Sequence, residues 1–309
     1  MRGAFVRTLT ELAAGDERIM LLTGDLGFMA LEPFRDRFPA RFLNCGVAEQ
    51  NMVGVATGLA EAGFIPFVYS IATFATLRPY EFIRNGPVWH GLPVRIVGIG
   101  GGFEYGTQGL SHHALEDLAI MRTQPGLQVI APADHEQTAA AVRQTWNAPG
   151  PIYYRLGKDD RTVVPGLHGR FTPGAAETIR EGGDVALVTV GSVSSETAAA
   201  AELLAARGVQ ATVVVVATVQ PAPIADLARI CRAVPIAVSV EAHYTVGGLG
   251  SLVAEVIAEH GLHCRLVRCG VTTVSDGRSG SQQYMHERHG LSRTALAATA
   301  LTALGRPAS

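Results

Sequence analysis

Residues 41–70 read RFLNCGVAEQNMVGVATGLAEAGFIPFVYS: a strand-like run, a helix-like run over 49–62, and a second strand-like run. One carboxylate, Glu49, stands between the apolar pair Phe42–Leu43 and a segment patterned like a buried helix. On its residues alone, an acid at such a junction is either a helix N-terminal group favoured by the dipole or a group that faces a ligand.

The same alternation extends in both directions. Strand candidates are IMLLTG, PVRIVGIG, LQVIAPA and PIYYRLG in the first half, and DVALVTVG, ATVVVVAT, PIAVSVEAH and CRLVRCG in the second. Most are continuous apolar runs, the mark of strands covered on both faces, as in parallel sheets flanked by helices. Helix-like runs lie between them at 77–89, 114–122, 134–147, 194–207, 223–232, 247–260 and 291–304. Asp134 and Ser194–Ser195 read as N-cap signals, and Gly208 as a C-terminal stop. The pattern predicts an α/β fold with a mostly parallel sheet covered by helices on both faces. The stretch 157–183 is polar, rich in Gly and Pro, and breaks the rhythm. The expected division is a first domain at 1–165, a linker at 166–183 and a smaller α/β domain at 184–309.

Composition narrows the function. The 309 residues are 48% hydrophobic and 17% charged, with a net charge of −2. That suits a large core or an extensive interface, and gives no electrostatic case for nucleic acid or an anionic membrane. No apolar run approaches the ~20 residues that span a bilayer. The N-terminal stretch lacks a signal-type apolar core, so a cytoplasmic location is expected. Cys45, Cys231, Cys264 and Cys269 form no CxxC pair, which indicates reduced thiols rather than a disulfide framework or zinc site. Several motifs fail on inspection. GIGGGFEYG (98–106) has no GxGxxG register and no P-loop lysine, HERH (286–289) is one residue short of HExxH, and no GxSxG elbow is present. GDLG (24–27) is not a GDG followed by a suitably spaced Asn.

Four stretches taken together carry a resemblance: TGDLGFM (23–29), the 41–70 segment, EYGTQGLSHHALEDLAIMRTQPGLQVIAPADHEQ (104–137) and GPIYYRLGK (150–158). Their order and spacing resemble the pyrimidine-binding domain of transketolases. VSVEAHYTVGGLGSLVAEVIAEHG (238–261) resembles the transketolase C-terminal domain. The resemblance implies the C-terminal subunit of a split transketolase that uses thiamine diphosphate and Mg2+. A separate N-terminal subunit with the GDG and Asn motif would hold most of the diphosphate and metal, in an α2β2 heterotetramer. The implied reaction moves a two-carbon ketol unit from a ketose donor to an aldehyde acceptor, and the chain alone would be inactive.

The resemblance also implies site residues. Glu49 matches the glutamate set against a ring nitrogen of the cofactor's aminopyrimidine. His112 matches a histidine that contacts donor and acceptor oxygens, and His113 reads as an ordinary core or surface histidine. An aromatic from 72–85 is expected to stack on the pyrimidine, with Phe74 ahead of Tyr80 and Phe82. Arg78 is open between a conformational or substrate-side cation and a solvated surface charge. Arg155 matches an arginine that holds a sugar phosphate, a role its bidentate guanidinium suits, and a strand-end salt bridge is its alternative. Asn44, Glu116 and Asp117 read as structural.

Two departures bear on substrate choice. Gln108 replaces an acid four residues before His112, and Gly100 stands where sugar-phosphate enzymes place a histidine. An amide in place of a carboxylate removes charge and adds donors, so the expected substrate is a non-standard sugar or keto compound. Two other readings remain at this point: the beta chain of a 2-oxo acid dehydrogenase, and a non-catalytic scaffold.

Overall fold

A computed structural model describes residues 1–274 and 276–307. The first half supplies β1 (Ile19–Thr23), β2 (Phe42–Asn44), β3 (Ile65–Ile71), β4 (Arg95–Ile99), β5 (Gln128–Ile130) and β6 (Ile152–Leu156). The second supplies β7 (Glu177–Arg180), β8 (Val185–Thr189), β9 (Ala211–Val215), β10 (Thr218–Gln220), β11 (Ile236–Tyr244) and β12 (Arg265–Val271). They form two sheets, ordered β10-β5-β6-β4-β3-β1-β2 and β12-β11-β8-β9-β7. Every pairing is parallel except those of the edge strands β10 and β7. The predicted α/β class is therefore the observed one.

β1, β3, β4, β6, β8 and β9 are buried at every position, which is why these runs are mostly apolar instead of alternating. Helices cover both faces of the first sheet. On one, α1 (Arg2–Gly15) and α2 (Glu32–Arg37) lay Phe5, Leu9 and Phe34 against Phe67, Ile130 and Tyr154. On the other, α3 (Glu49–Glu61) buries Glu49, Met52, Val53, Ala56 and Ala60, a helical stripe, and leaves Gln50, Asn51, Gly54, Val55 and Gly58 exposed. Burying Met52 or Val53 contributes about 1.5–3 kcal/mol each. The helix stops at Gly63, whose φ of +92° favours glycine.

The run read as one helix at 77–89 is interrupted twice. α4 (Ala72–Leu77) ends before Pro79, α5 (Tyr80–Ile83) follows, and a π-helical turn at Arg84–Val88 contains Pro87. Proline cannot donate to the helical ladder, so each proline breaks the run. Arg78 is thereby left at a helix end beside the carboxyl edge of the sheet. α6 (Asp117–Arg122) and α7 (His135–Thr145) complete the first half, and Asp134 caps α7 by accepting from Gln137 N, as expected.

In the second half, α8 (Ser194–Ala205) starts where the helical run at 194–207 was expected to, so both serines of the capping signal lie inside the helix. Ser194 does not cap it, because its hydroxyl donates back to Gly191 O at 2.7 Å. α9 (Ile224–Ala233), α10 (Leu249–Glu259), α11 (Gln282–Arg288) and α12 (Arg293–Ala303) finish the chain. Two strands escaped the sequence reading. β7 lies within the stretch read as linker, and β10 leaves the second half to pair with β5 of the first sheet. Both are short edge strands without a long apolar run.

The two halves share one apolar cluster, which runs from Met52 and Leu118 to Val214 and Leu249. Polar contacts lock the same junction. Ala119 N donates to His243 Nε2 (3.3 Å), Tyr244 N to Leu115 O (2.9 Å) and Arg122 Nη1 to Gly247 O (3.0 Å). At Gly102, φ is +66° and a Cβ would lie 2.7 Å from Ala242, so the close approach of the halves requires glycine there.

His286 on α11 is 5% exposed, and its Nε2 is buried without a partner. Burial pushes its pKa down from 6.5 to about 4, with the nearby Glu196 opposing and His289 assisting. The unfolded chain therefore takes up a proton near pH 6.5 that the folded chain refuses until about pH 4. Stability should fall by about 3 kcal/mol across that window as pH drops. Urea unfolding at pH 7 and pH 4.5 should show the loss in the wild type and a smaller one in His286→Phe.

Candidate active site

The carboxyl ends of β1, β3 and β4 open onto three loops, the usual place for a ligand site in a parallel sheet. Glu49 sits at this edge as the first residue of α3, 2% exposed. Oε1 accepts from Ser70 Oγ near the end of β3 (2.9 Å), and Oε2 accepts from Arg78 Nη1 (2.8 Å). Gly24, just past β1, allows this packing: a Cβ there would lie 3.2 Å from Glu49 Oε1. A buried carboxylate is thus held by one hydroxyl and one guanidinium.

The Arg78 guanidinium lies over the Phe74 ring at 3.8 Å, and the Phe74 ring meets His112 edge-on at 5.0 Å. Thr73 Oγ1 donates to Ser111 O at 3.2 Å, tying α4 to the turn that carries His112. Ser111 Oγ stands 3.0 Å from His112 Nδ1. Burial, followed by the charges of Arg78 and His113, lowers the pKa of His112, so the neutral imidazole dominates near pH 7. Glu49, Arg78, Phe74 and His112 therefore form one continuous cluster.

His113 is buried, the core form of the ordinary histidine expected there. Its Nε2 donates to Gly106 O (3.1 Å), which also accepts from Gly280 N of the second half (3.2 Å). The 106–113 loop is thus closed on itself and braced by the second half. Gln108 on this loop is exposed, and its Oε1 accepts from Thr107 Oγ1. Gly100 has φ +82°, and a Cβ there would come within 2.1 Å of the Tyr105 ring. Tyr105 fills the space a longer side chain at 100 would need.

Three expected site residues lie elsewhere. The Tyr80 hydroxyl donates to Ile120 O (2.9 Å) and also meets Thr123, which commits that ring to the α6 packing. Phe82 is 41% exposed and lines a shallow pocket with Gly54, Thr57 and Asn85. Arg155 is 4% exposed and bonded within the fold. Its Nε pairs with Asp117 Oδ2 (2.8 Å), and its Nη2 donates to Ala114 O and Ala242 O. A guanidinium so enclosed offers nothing to a sugar phosphate, and the salt-bridge alternative describes Arg155. Tyr153 also donates to Asp117 Oδ2 (2.7 Å). Asn44 exchanges hydrogen bonds with Asp25 and accepts from Gly46 N. Glu116 accepts from Leu115 N.

Sequence reasoning missed Ser70, Ser111 and Tyr105. Ser70 left a usable signal, as the polar last residue of the apolar run IPFVYS.

Comparison with known proteins adds independent findings. Residues 1–162 match the transketolase pyrimidine-binding domain family, and residues 174–296 match the transketolase C-terminal domain family. The chain is 32% identical over 302 residues to an apulose-4-phosphate transketolase subunit of Phocaeicola vulgatus, covering 96% of each chain. It is 36% identical over 292 residues to a 6-deoxy-6-sulfo-D-fructose transketolase subunit of a Clostridium species, covering 94% of this chain and 90% of that one. A solved structure described as a split gene transketolase, inactive beta4 tetramer, superposes with a TM-score of 0.88 at 37% identity, covering 98% of this chain and 97% of that one.

The buried Arg155–Asp117 pair makes a direct prediction. Arg155→Met should leave Asp117 as an uncompensated buried charge and cost about 3–5 kcal/mol in urea unfolding. A variant of wild-type stability would show that the pair carries no weight in the fold.

Proposed function

The chain belongs to the transketolase family, and from that premise we propose that the Glu49 cluster is the pyrimidine side of its thiamine diphosphate site. The chain is the C-terminal subunit of a split transketolase, an enzyme of ketol transfer, in a family dependent on thiamine diphosphate. Nothing in the comparisons favours a 2-oxo acid dehydrogenase beta chain or a scaffold.

The observation that carries the site assignment is Glu49, a carboxylate almost without solvent, linked through Arg78 to the face of Phe74 at the carboxyl edge of the sheet. This donor set fits an aminopyrimidine. A carboxylate accepts from a protonated ring nitrogen, and a flat apolar face accommodates the ring. When bound, thiamine diphosphate supplies the electron sink for breaking and remaking the ketose carbon–carbon bond.

The side chains of this subunit do the positioning. Ser70 anchors Glu49 Oε1, which leaves Oε2 as the atom that shares a proton with the pyrimidine. Phe74 packs against the ring. The Ser111 hydroxyl stands 3.0 Å from His112 Nδ1 and fixes the ring's orientation; in the tautomer with the proton on Nε2, that proton faces a substrate oxygen. The diphosphate and Mg2+ fall to a partner subunit carrying the GDG and Asn motif. Two copies of each subunit would make the active assembly; the split-gene relative, described as an inactive beta4 tetramer, lacks the second subunit type.

For substrate, we propose a ketose outside the ordinary pentose phosphates. Gln108 supplies an amide where sugar-phosphate enzymes have an acid, and Tyr105 occupies the space over Gly100. Relatives named for apulose 4-phosphate and for a sulfo-sugar are consistent with a branch that handles unusual ketoses.

Co-expression with the diphosphate-binding subunit tests the assignment. The pair should transfer ketol units, and neither half alone should. Glu49→Gln should lower kcat by about 10²–10⁴-fold. Phe74→Ala should weaken cofactor binding by about tenfold, in line with the worth of an aromatic contact. Full activity of the isolated chain, or of the Glu49→Gln pair, would remove the assignment. Across a donor panel, a preference for xylulose 5-phosphate would overturn the substrate proposal alone.

A further inference from the structure

The guanidinium of Arg78 occupies the position that this site assignment gives to the aminopyrimidine. Its central carbon lies 3.8 Å from the Phe74 ring centroid, over the face, and Nη1 donates to Glu49 Oε2 at 2.8 Å. A guanidinium is planar, delocalised and edged with N–H donors. A ring-protonated aminopyrimidine is also planar and edged with N–H donors. Each group satisfies the same two requirements, an aromatic face and one carboxylate oxygen. Glu49 Oε1 is already taken by Ser70, so two such groups compete for Oε2.

The exposures of the two partners are unequal. The Glu49 side chain is 1% exposed, whereas that of Arg78 is 41% exposed. Glu49 has no route to solvent, and without a partner it would be a buried bare charge. Arg78 stands at the break between α4 and α5, beside Pro79, on a long flexible stem. It can transfer its charge to water while the backbone stays in place.

We propose that Arg78 is a built-in stand-in for the cofactor's pyrimidine, pairing with Glu49 and covering Phe74 until it withdraws to solvent to admit the cofactor. This rests on the assignment of the Glu49 cluster above. Arg78 keeps the carboxylate aligned before the cofactor arrives, and it reduces apparent cofactor affinity by the fraction of molecules in which it still holds Glu49.

The test is calorimetric titration of thiamine diphosphate into the complex of this chain with its diphosphate-binding subunit. Arg78→Met removes the charge and the donors, and should bind the cofactor about tenfold more tightly than the wild type. Arg78→Lys keeps a charge but not the flat face, and should fall between the two. In a Glu49→Gln background the gain from Arg78→Met should shrink, because the pair it breaks is already gone. Arg78 variants that bind no more tightly than wild type, with Glu49→Gln weakened, would overturn the stand-in role and leave the site assignment standing. Glu49→Gln binding as tightly as wild type would remove the site assignment and the stand-in role together.

Discussion

A guanidinium almost without water sits where the two sheets meet, and the rest of the architecture is arranged around it. Arg155 leaves the end of β6, pairs with Asp117 at the start of α6, and donates to carbonyls at Ala114 and Ala242. Those contacts join a first-sheet strand, the helix behind the His112 loop and the long strand β11. A charge buried this deeply is tolerated only with its partners in place. The pair therefore specifies how the halves meet as much as it stabilises them. The bonds from Ala119 to His243 and from Tyr244 to Leu115 extend the same junction.

The reactive edge inherits its order from this junction. The turn carrying His112 is tied on one side to α4 through Thr73 and on the other to the second half through Gly106 and Gly280. Glu49 is fixed by the start of α3 and by Ser70 on β3. Side chains held by regular elements and short braced turns keep their geometry better than side chains on free loops, and the proposed proton sharing with a cofactor needs that precision.

Much of this was legible in the sequence, for identifiable reasons. The parallel sheets announced themselves as unbroken apolar runs, because strands such as IMLLT and VALVT meet helices on both faces. Glu49 and Phe74 stood out as candidates because a distinctive wording surrounds each, and the structure places both in one cluster with Arg78. What stayed hidden depends on side-chain partners far away in sequence. Nothing near Arg155 reveals that Asp117 and Ala242 will enclose it. Tyr80 and Phe82 differ from Phe74 only in where two prolines interrupt their helix, and the resulting angles are a tertiary outcome. The edge strands β7 and β10 are too short to carry a periodic signal, and their pairing is decided by the sheet edge each one finds.

β10 carries a consequence of its own. This short segment belongs by sequence to the second half, yet it closes the margin of the first sheet by pairing with β5. A chain severed near residue 170 would leave β5 with unpaired backbone amides and carbonyls, an open template for another strand. The first half by itself is therefore unfinished. Each part of this subunit completes the other before any second polypeptide is engaged, and a free N-terminal fragment would stick to its own copies.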